Sequence, residues 1–133
     1  MDPEGASSPH VSSRFPESAL TAQIIGAAHD VRRELAPHYA ESVFRNALLI
    51  ALEDRGVSGE REVPVSVRFR GREVGAFRCD LLVEGRVLVE VKAGRPLEAS
   101  HEAQLLNYLQ STGIHVGLLI HFGPRVTVRR FVI

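Results

Sequence analysis

Apolar residues recur at three- and four-residue steps from Leu20 to Ala51, and from Val63 the step becomes two. That change of period constrains the fold class, because amphipathic helices followed by alternating strands bury their apolar faces by lying against one sheet. Leu20, Ile24, Ala27, Ala28, Val31 and Leu35 share one helical face. They predict a helix from about Ser18, a residue suited to cap it, to Leu35, with Pro37 as its stop. Val43, Phe44, Ala47, Leu48 and Ala51 define a second helix that starts near Tyr39 or Ala40. Gly56 suits the left-handed residue just past its end.

In the next segment Val63, Val65, Val67 and Phe69 alternate with Pro64, Ser66, Arg68 and Arg70, the pattern of a half-exposed strand. Gly71 turns the chain into a second strand, about 73–83, and Glu84-Gly85 turns it into a third, Val87 to Ala93, giving an antiparallel meander. Helical spacing returns over 99–112 through Ala103, Leu105, Leu106 and Leu109, with Gly113 closing the helix. Strands His115 to His121 and Val126 to Ile133 follow. The order ααβββαββ describes an α/β or α+β domain, one mixed sheet covered by helices. Residues 18–133 form this single domain; residues 1–17, rich in Ser, Pro and His without apolar periodicity, are expected to be a flexible tail.

Sixteen Lys and Arg balance sixteen Asp and Glu, so no long-range field draws the molecule to a polyanion, which must be held locally. The single cysteine, Cys79, cannot close an intrachain disulfide and reads as a small buried side chain in a reducing compartment. The N-terminus lacks a basic segment followed by an apolar one, and no run approaches the roughly 20 apolar residues of a membrane span. A cytoplasmic protein without membrane association is expected. Six histidines show no HxH or HExxH spacing, which argues against zinc, and no GxSxG, P-loop or GxGxxG is present.

Charge in apolar strands marks the chemistry. Glu90 and Lys92 share one face of a strand whose other face is Val87, Val89 and Val91, and Asp80 interrupts the preceding strand amid Phe77, Cys79, Leu81, Leu82 and Val83. Such charges are costly in a sheet unless paired or bound to something. A three-residue loop at 84–86 would set Asp80 opposite Glu90, with Cα atoms roughly 4.5–5.5 Å apart. A strict two-residue turn would pair Asp80 with Val89 and send the acids to opposite faces. Paired carboxylates of this kind suit Mg²⁺ or Mn²⁺, which polarises a phosphoryl oxygen and acidifies a bound water. Lys92 is placed to orient that water or to stabilise charge on phosphate. The plain alternative is an ion pair on a solvated sheet face; the apolar surroundings favour a site.

Asp80 followed by Glu90-Val91-Lys92 resembles the D…(D/E)-x-K signature of the PD-(D/E)XK nuclease superfamily. Gln104-Leu105-Leu106-Asn107-Tyr108 is similar to the Q-x₃-Y element of its RecB-like exonuclease branch, and Glu41 lies on an upstream helix where that branch has a further acidic ligand. Ile24-Ile25-Gly26, the run from His101 to Tyr108 and that from Gly117 to Gly123 resemble the GxxExxY protein family of this superfamily, over about residues 20–133. Its naming motif departs here: His38 stands where the family has Gly and Phe44 where it has Tyr, while Glu41 is kept.

The resemblance implies a restriction-endonuclease-like core and Mg²⁺- or Mn²⁺-dependent phosphodiester hydrolysis, with DNA favoured over RNA. It implies Asp80, Glu90, Glu41 and the Val91 carbonyl as metal ligands, Lys92 and Gln104 at the water and scissile phosphate, and Tyr108 as a substrate contact; Arg78 is a candidate phosphate contact on its charge alone, with Arg68, Arg70 and Arg72 along the edge of the meander. Residue by residue, the alternatives stay open. Glu41 in a first helical turn also suits the helix dipole, Gln104 and Tyr108 suit packing on one helix face, and Arg68, Arg70, Arg72 and Arg78 suit a solvated edge. The competing function is a non-catalytic module that keeps the fold and binds nucleic acid or protein. A homodimer through the first two helices, or a protein partner, would supply the binding surface that a neutral charge does not.

Overall fold

The computed structural model describes residues 15–133, and the expected tail lies outside them except for 15–17. Two helices come first, α1 (Ser18–Glu34) and α2 (Glu41–Asp54), then strands β1 (Gly59–Phe69), β2 (Arg72–Val83) and β3 (Val87–Ala93). Helix α3 (Ala99–Thr112) and strands β4 (Val116–Phe122) and β5 (Val126–Val132) complete the chain. The ααβββαββ order is as the periodicity predicts, and strand order in the sheet follows the sequence, β1-β2-β3-β4-β5. Only β3 and β4 pair in parallel, because α3 carries the chain across between them; the other neighbours are antiparallel.

The apolar faces of α1 and α2 cover one side of the sheet. Ile24, Ala27, Phe44, Leu48 and Leu52 pack there on Val87, Val89, Val91, Leu118 and Ile120. On the other side Leu105, Tyr108 and Leu109 of α3 pack on Val65, Cys79, Leu88 and Leu119. This α+β architecture, a five-stranded mixed sheet between helical layers, is the restriction-endonuclease-like arrangement. No helix among the described residues is long and apolar enough to cross a membrane.

Three local expectations need correction. Ser18 does not cap α1: Glu17 takes that position at φ 60° without a side-chain cap bond, because its carboxylate is drawn 2.9 Å from Arg86 instead. Val43 is 37% exposed, since the buried stripe of α2 runs through Phe44, Leu48 and Leu52 at four-residue steps and leaves Val43 beside it. Strand β1 begins at Gly59 rather than Val63, because β2 runs on to Val83 and offers Gly59 a partner there.

The β2–β3 register decides the site. Val83 pairs with Val87, Leu82 with Leu88 and Leu81 with Val89, so the loop holds three residues, Glu84, Gly85 and Arg86. Glu84 and Gly85 both take left-handed conformations (φ 53° and 68°), and the Arg86 N–H closes the turn on the Val83 carbonyl at 2.9 Å. The ladder ends at Leu81 and Val89, and beyond it Asp80 and Glu90 meet through backbone-to-side-chain hydrogen bonds instead.

Candidate active site

Strand β2 changes faces at Asp80. Leu81 and Val83 pack on the α1–α2 side, yet Cys79, two residues before Leu81, packs on the α3 side. In a regular strand residues two apart share a face, so the backbone is rotated at Asp80. Strand β1 is distorted at the same level: Arg61 pairs with Leu81 and Val63 with Cys79, and Glu62 between them is left-handed at φ 53°.

There the carboxylates replace ladder bonds. The Asp80 N–H donates to Glu90 Oε1 at 3.0 Å, and the Val91 N–H donates to Asp80 Oδ2 at 2.7 Å. Each acid thus spends one oxygen on the backbone of the opposite strand. The remaining oxygens face cations, Asp80 Oδ1 with Arg45 Nη1 at 3.5 Å and Glu90 Oε2 with Lys92 Nζ at 3.8 Å. The reciprocal bonds hold the two acids together across the strand pair, and their other oxygens, Oδ1 and Oε2, are the ones that the cations face.

Glu90 is 5% exposed. Burial, reinforced by the Asp80 carboxylate, pushes its carboxyl up to about 7. Burial likewise pushes the Cys79 thiol well above its ordinary range, with Glu90 adding to it. Cys79 is fully buried with Sγ 3.5 Å from the Val89 carbonyl, an apolar packing group as expected from its surroundings.

Glu41, the first residue of α2, accepts a long hydrogen bond from the Ala93 N–H at 3.4 Å, which brings it to the end of the strand that carries Glu90 and Lys92. Among the described residues no three Asp, Glu, His or Cys side chains converge on one point, so Glu41 borders the Asp80–Glu90 pair without completing a three-acid cluster. Gln104 and Tyr108 line a neighbouring cleft of about 640 Å³ with Val67, Phe77, Ser100 and Asn107. The Tyr108 ring lies 6.1 Å from that of Phe77, three residues before Asp80. Burial raises the Tyr108 phenol, and the Glu90 and Asp80 charges add to it. Arg78 is on the exposed β1–β2 ribbon, its side chain 71% accessible and 3.6 Å from Glu62.

Sequence reasoning did not single out two residues of this neighbourhood. Arg45 follows Glu41 by one helical turn and so shares its face of α2; that spacing was the available signal. His121 pairs with Lys92 in the parallel β3–β4 register, is 9% exposed, and has Nε2 3.3 Å from the Gly94 carbonyl. No local motif marks it.

Both departures from the GxxExxY pattern have structural content. His38 is left-handed at φ 83°, the conformation that a glycine adopts without steric cost. Phe44 is fully buried and stacks on Phe122, centroids 4.9 Å apart and planes 6° from parallel.

No curated protein sequence matches the chain. Among solved structures it is similar to the crystal structure of SSO0001, with a TM-score of 0.53 and 20% identity over 68% of this chain and 48% of that one. It is also similar to an alkaline exonuclease (LHK-Exo) from Laribacter hongkongensis, with a TM-score of 0.48 and 11% identity over 61% of this chain and 50% of that one. The chain therefore spans about half the length of each. Residues 18–131 match the PD-(D/E)XK nuclease superfamily. The matched span holds the whole Asp80, Glu90-Val91-Lys92 constellation and every element of the helix-flanked sheet, and the chain belongs to the PD-(D/E)XK nuclease superfamily.

Proposed function

We propose that the domain is a Mg²⁺- or Mn²⁺-dependent nuclease acting on DNA, of the RecB-like branch and akin to GxxExxY proteins. The observation that carries this reading is the reciprocal bonding of Asp80 and Glu90, which brings two hard carboxylate donors together with Lys92 3.8 Å from Glu90 Oε2. The donor chemistry fits a hard divalent ion: Asp80 and Glu90 would hold it, with the Val91 carbonyl and Glu41 as further oxygen donors. When bound, the ion supplies Lewis-acid polarisation of phosphate and acidification of water.

The chain's own groups have separable tasks. Lys92, 3.8 Å from Glu90 Oε2, holds a positive charge where a phosphate oxygen gains negative charge. Burial pushes the Glu90 carboxyl up to about 7, and the Asp80 charge adds to it, so a cation beside the pair favours ionisation of both acids. Gln104 and Tyr108 line the cleft that would receive the strand beside the scissile phosphate, and Arg78 would meet backbone phosphate on the ribbon.

The second reading, a non-catalytic binding module, is favoured by the absence of a three-donor cluster among the described residues. Calorimetric titration of Mn²⁺ into the wild type, Asp80→Ala and Glu90→Ala separates the two. Binding that both substitutions abolish, followed by Mn²⁺-dependent DNA cleavage, supports the nuclease. A folded wild type that binds no Mn²⁺, with or without DNA, leaves the binding module.

A further inference from the structure

Arg45 has an unusual setting for a structural arginine. Its Nη1 lies 3.5 Å from Asp80 Oδ1, which is long for a charge-assisted hydrogen bond, and its Nε is buried without a hydrogen-bond partner. Among the described residues Asp80 is its one ion-pair partner; Glu41, one turn earlier on the same face of α2, turns to the Ala93 N–H instead. The guanidinium is therefore held by the packing of α2 on the sheet more than by bonds of its own. It faces the one Asp80 oxygen that the Val91 N–H does not take.

We infer that Arg45 is an internal counter-ion to Asp80, held against its Oδ1, and that a divalent ion bound by Asp80 and Glu90 would compete with it. The inference rests on the metal-centre reading above and adds a competitor to it. Asp80 and Glu90 face each other across the strand pair, and two cations, Arg45 and Lys92, offset their charges in the chain as it stands. A divalent ion held by Asp80 and Glu90 would supply both charges itself. Arg45 then becomes a like charge at close range, and its single long contact lets it swing away without breaking a strong bond. Metal affinity is set partly by the ease of that displacement.

A merely structural arginine makes the opposite forecast. If Arg45 serves to hold Asp80 in place, removing it frees the carboxylate to wander and weakens metal binding. Asp80 Oδ2 is already fixed by the Val91 N–H at 2.7 Å, so the geometry points to competition.

The test is calorimetric titration of Mn²⁺ into wild type, Arg45→Met and Arg45→Lys, with thermal melts with and without Mn²⁺. Arg45→Met keeps the apolar stem and removes the charge. It should bind Mn²⁺ about ten-fold more tightly, melt lower than wild type without metal, and gain a larger Mn²⁺-induced rise in Tm. Arg45→Lys should stay near wild type. Equal or weaker Mn²⁺ binding by a folded Arg45→Met overturns the inference while leaving the metal centre standing. If Arg45→Met does not fold, Arg45→Gln carries the same two outcomes. If no variant and no wild type binds Mn²⁺, the metal-centre reading itself fails and the counter-ion falls with it.

Discussion

The Asp80 backbone N–H donates to Glu90 Oε1 at 3.0 Å, so the strand that carries one acid is tied down by the side chain of the other. Glu90 is buried at this junction. Its carboxyl sits at about 7 against an ordinary 4.5, pushed up by burial and then by Asp80. Between those values the folded chain binds more protons than the unfolded one, so stability falls as pH rises from about 4.5 to 7 and the full cost is present above 7. Glu90→Gln keeps the Oε1 acceptor and does not titrate. In metal-free buffer at pH 8 it should be more stable than wild type by on the order of 3 kcal/mol, with little difference at pH 4. Urea unfolding at the two pH values checks this, and equal midpoints at pH 8 would refute the buried, strained carboxylate.

His38 holds a left-handed backbone at φ 83° with no Cβ-free residue to make it easy. His38→Gly should stabilise the fold by about 0.5–1 kcal/mol, the relief of the steric cost less the added freedom of the unfolded chain. A rise in the urea midpoint with unchanged slope is the expected result.

Under the proposed nuclease function, Lys92→Ala should lower the rate of DNA cleavage by about a hundred-fold, the usual loss when one donor to a developing negative charge is removed. Mn²⁺ affinity should stay within a few-fold of wild type, because Lys92 contributes no metal-binding oxygen. A variant that loses Mn²⁺ binding in parallel with cleavage would place Lys92 in the support of Glu90 instead.

Arg78 tests whether the ribbon meets the substrate. Among the described residues its exposed side chain pairs only with Glu62, at 3.6 Å, so a phosphate contact is accessible to it. Arg78→Ala should weaken DNA binding similarly for all sequences and reduce the slope of log K against log salt by about one. An unchanged slope assigns Arg78 to the solvated surface.

Much of this was readable from residue order. Val87, Val89 and Val91 on one face forced Glu90 and Lys92 onto the other, and the demand that Asp80 meet Glu90 called for a three-residue loop at 84–86 or a bulge; the Val83–Val87 pair leaves three residues in that loop. The rotation of β2 at Asp80 was not readable, because it depends on Glu62 of a neighbouring strand adopting a left-handed φ that no glycine advertises. Arg45 was missed for a related reason. On a helix wheel it is one more polar residue near an apolar stripe, and only the packing of α2 on the sheet turns it inward to Asp80. His121 depends on the β3–β4 register, which a parallel crossover leaves open until α3 is packed.

The position of the acids on one hairpin also has a kinetic meaning. Asp80 and Glu90 are 10 residues apart, and hairpins of that span close in roughly 1–10 μs. Arg45 reaches them across 35 residues of chain, and only once α2 is seated on the sheet. The order of assembly predicted from these spans is hairpin first, helical cover second. In the interval the two carboxylates face each other without Arg45, so a divalent ion present during folding meets a pair of acids that nothing yet competes for. An ion held there is a like charge to Arg45 and would oppose its seating, so refolding in Mn²⁺ is expected to be slower than in its absence at the step that joins helix to hairpin.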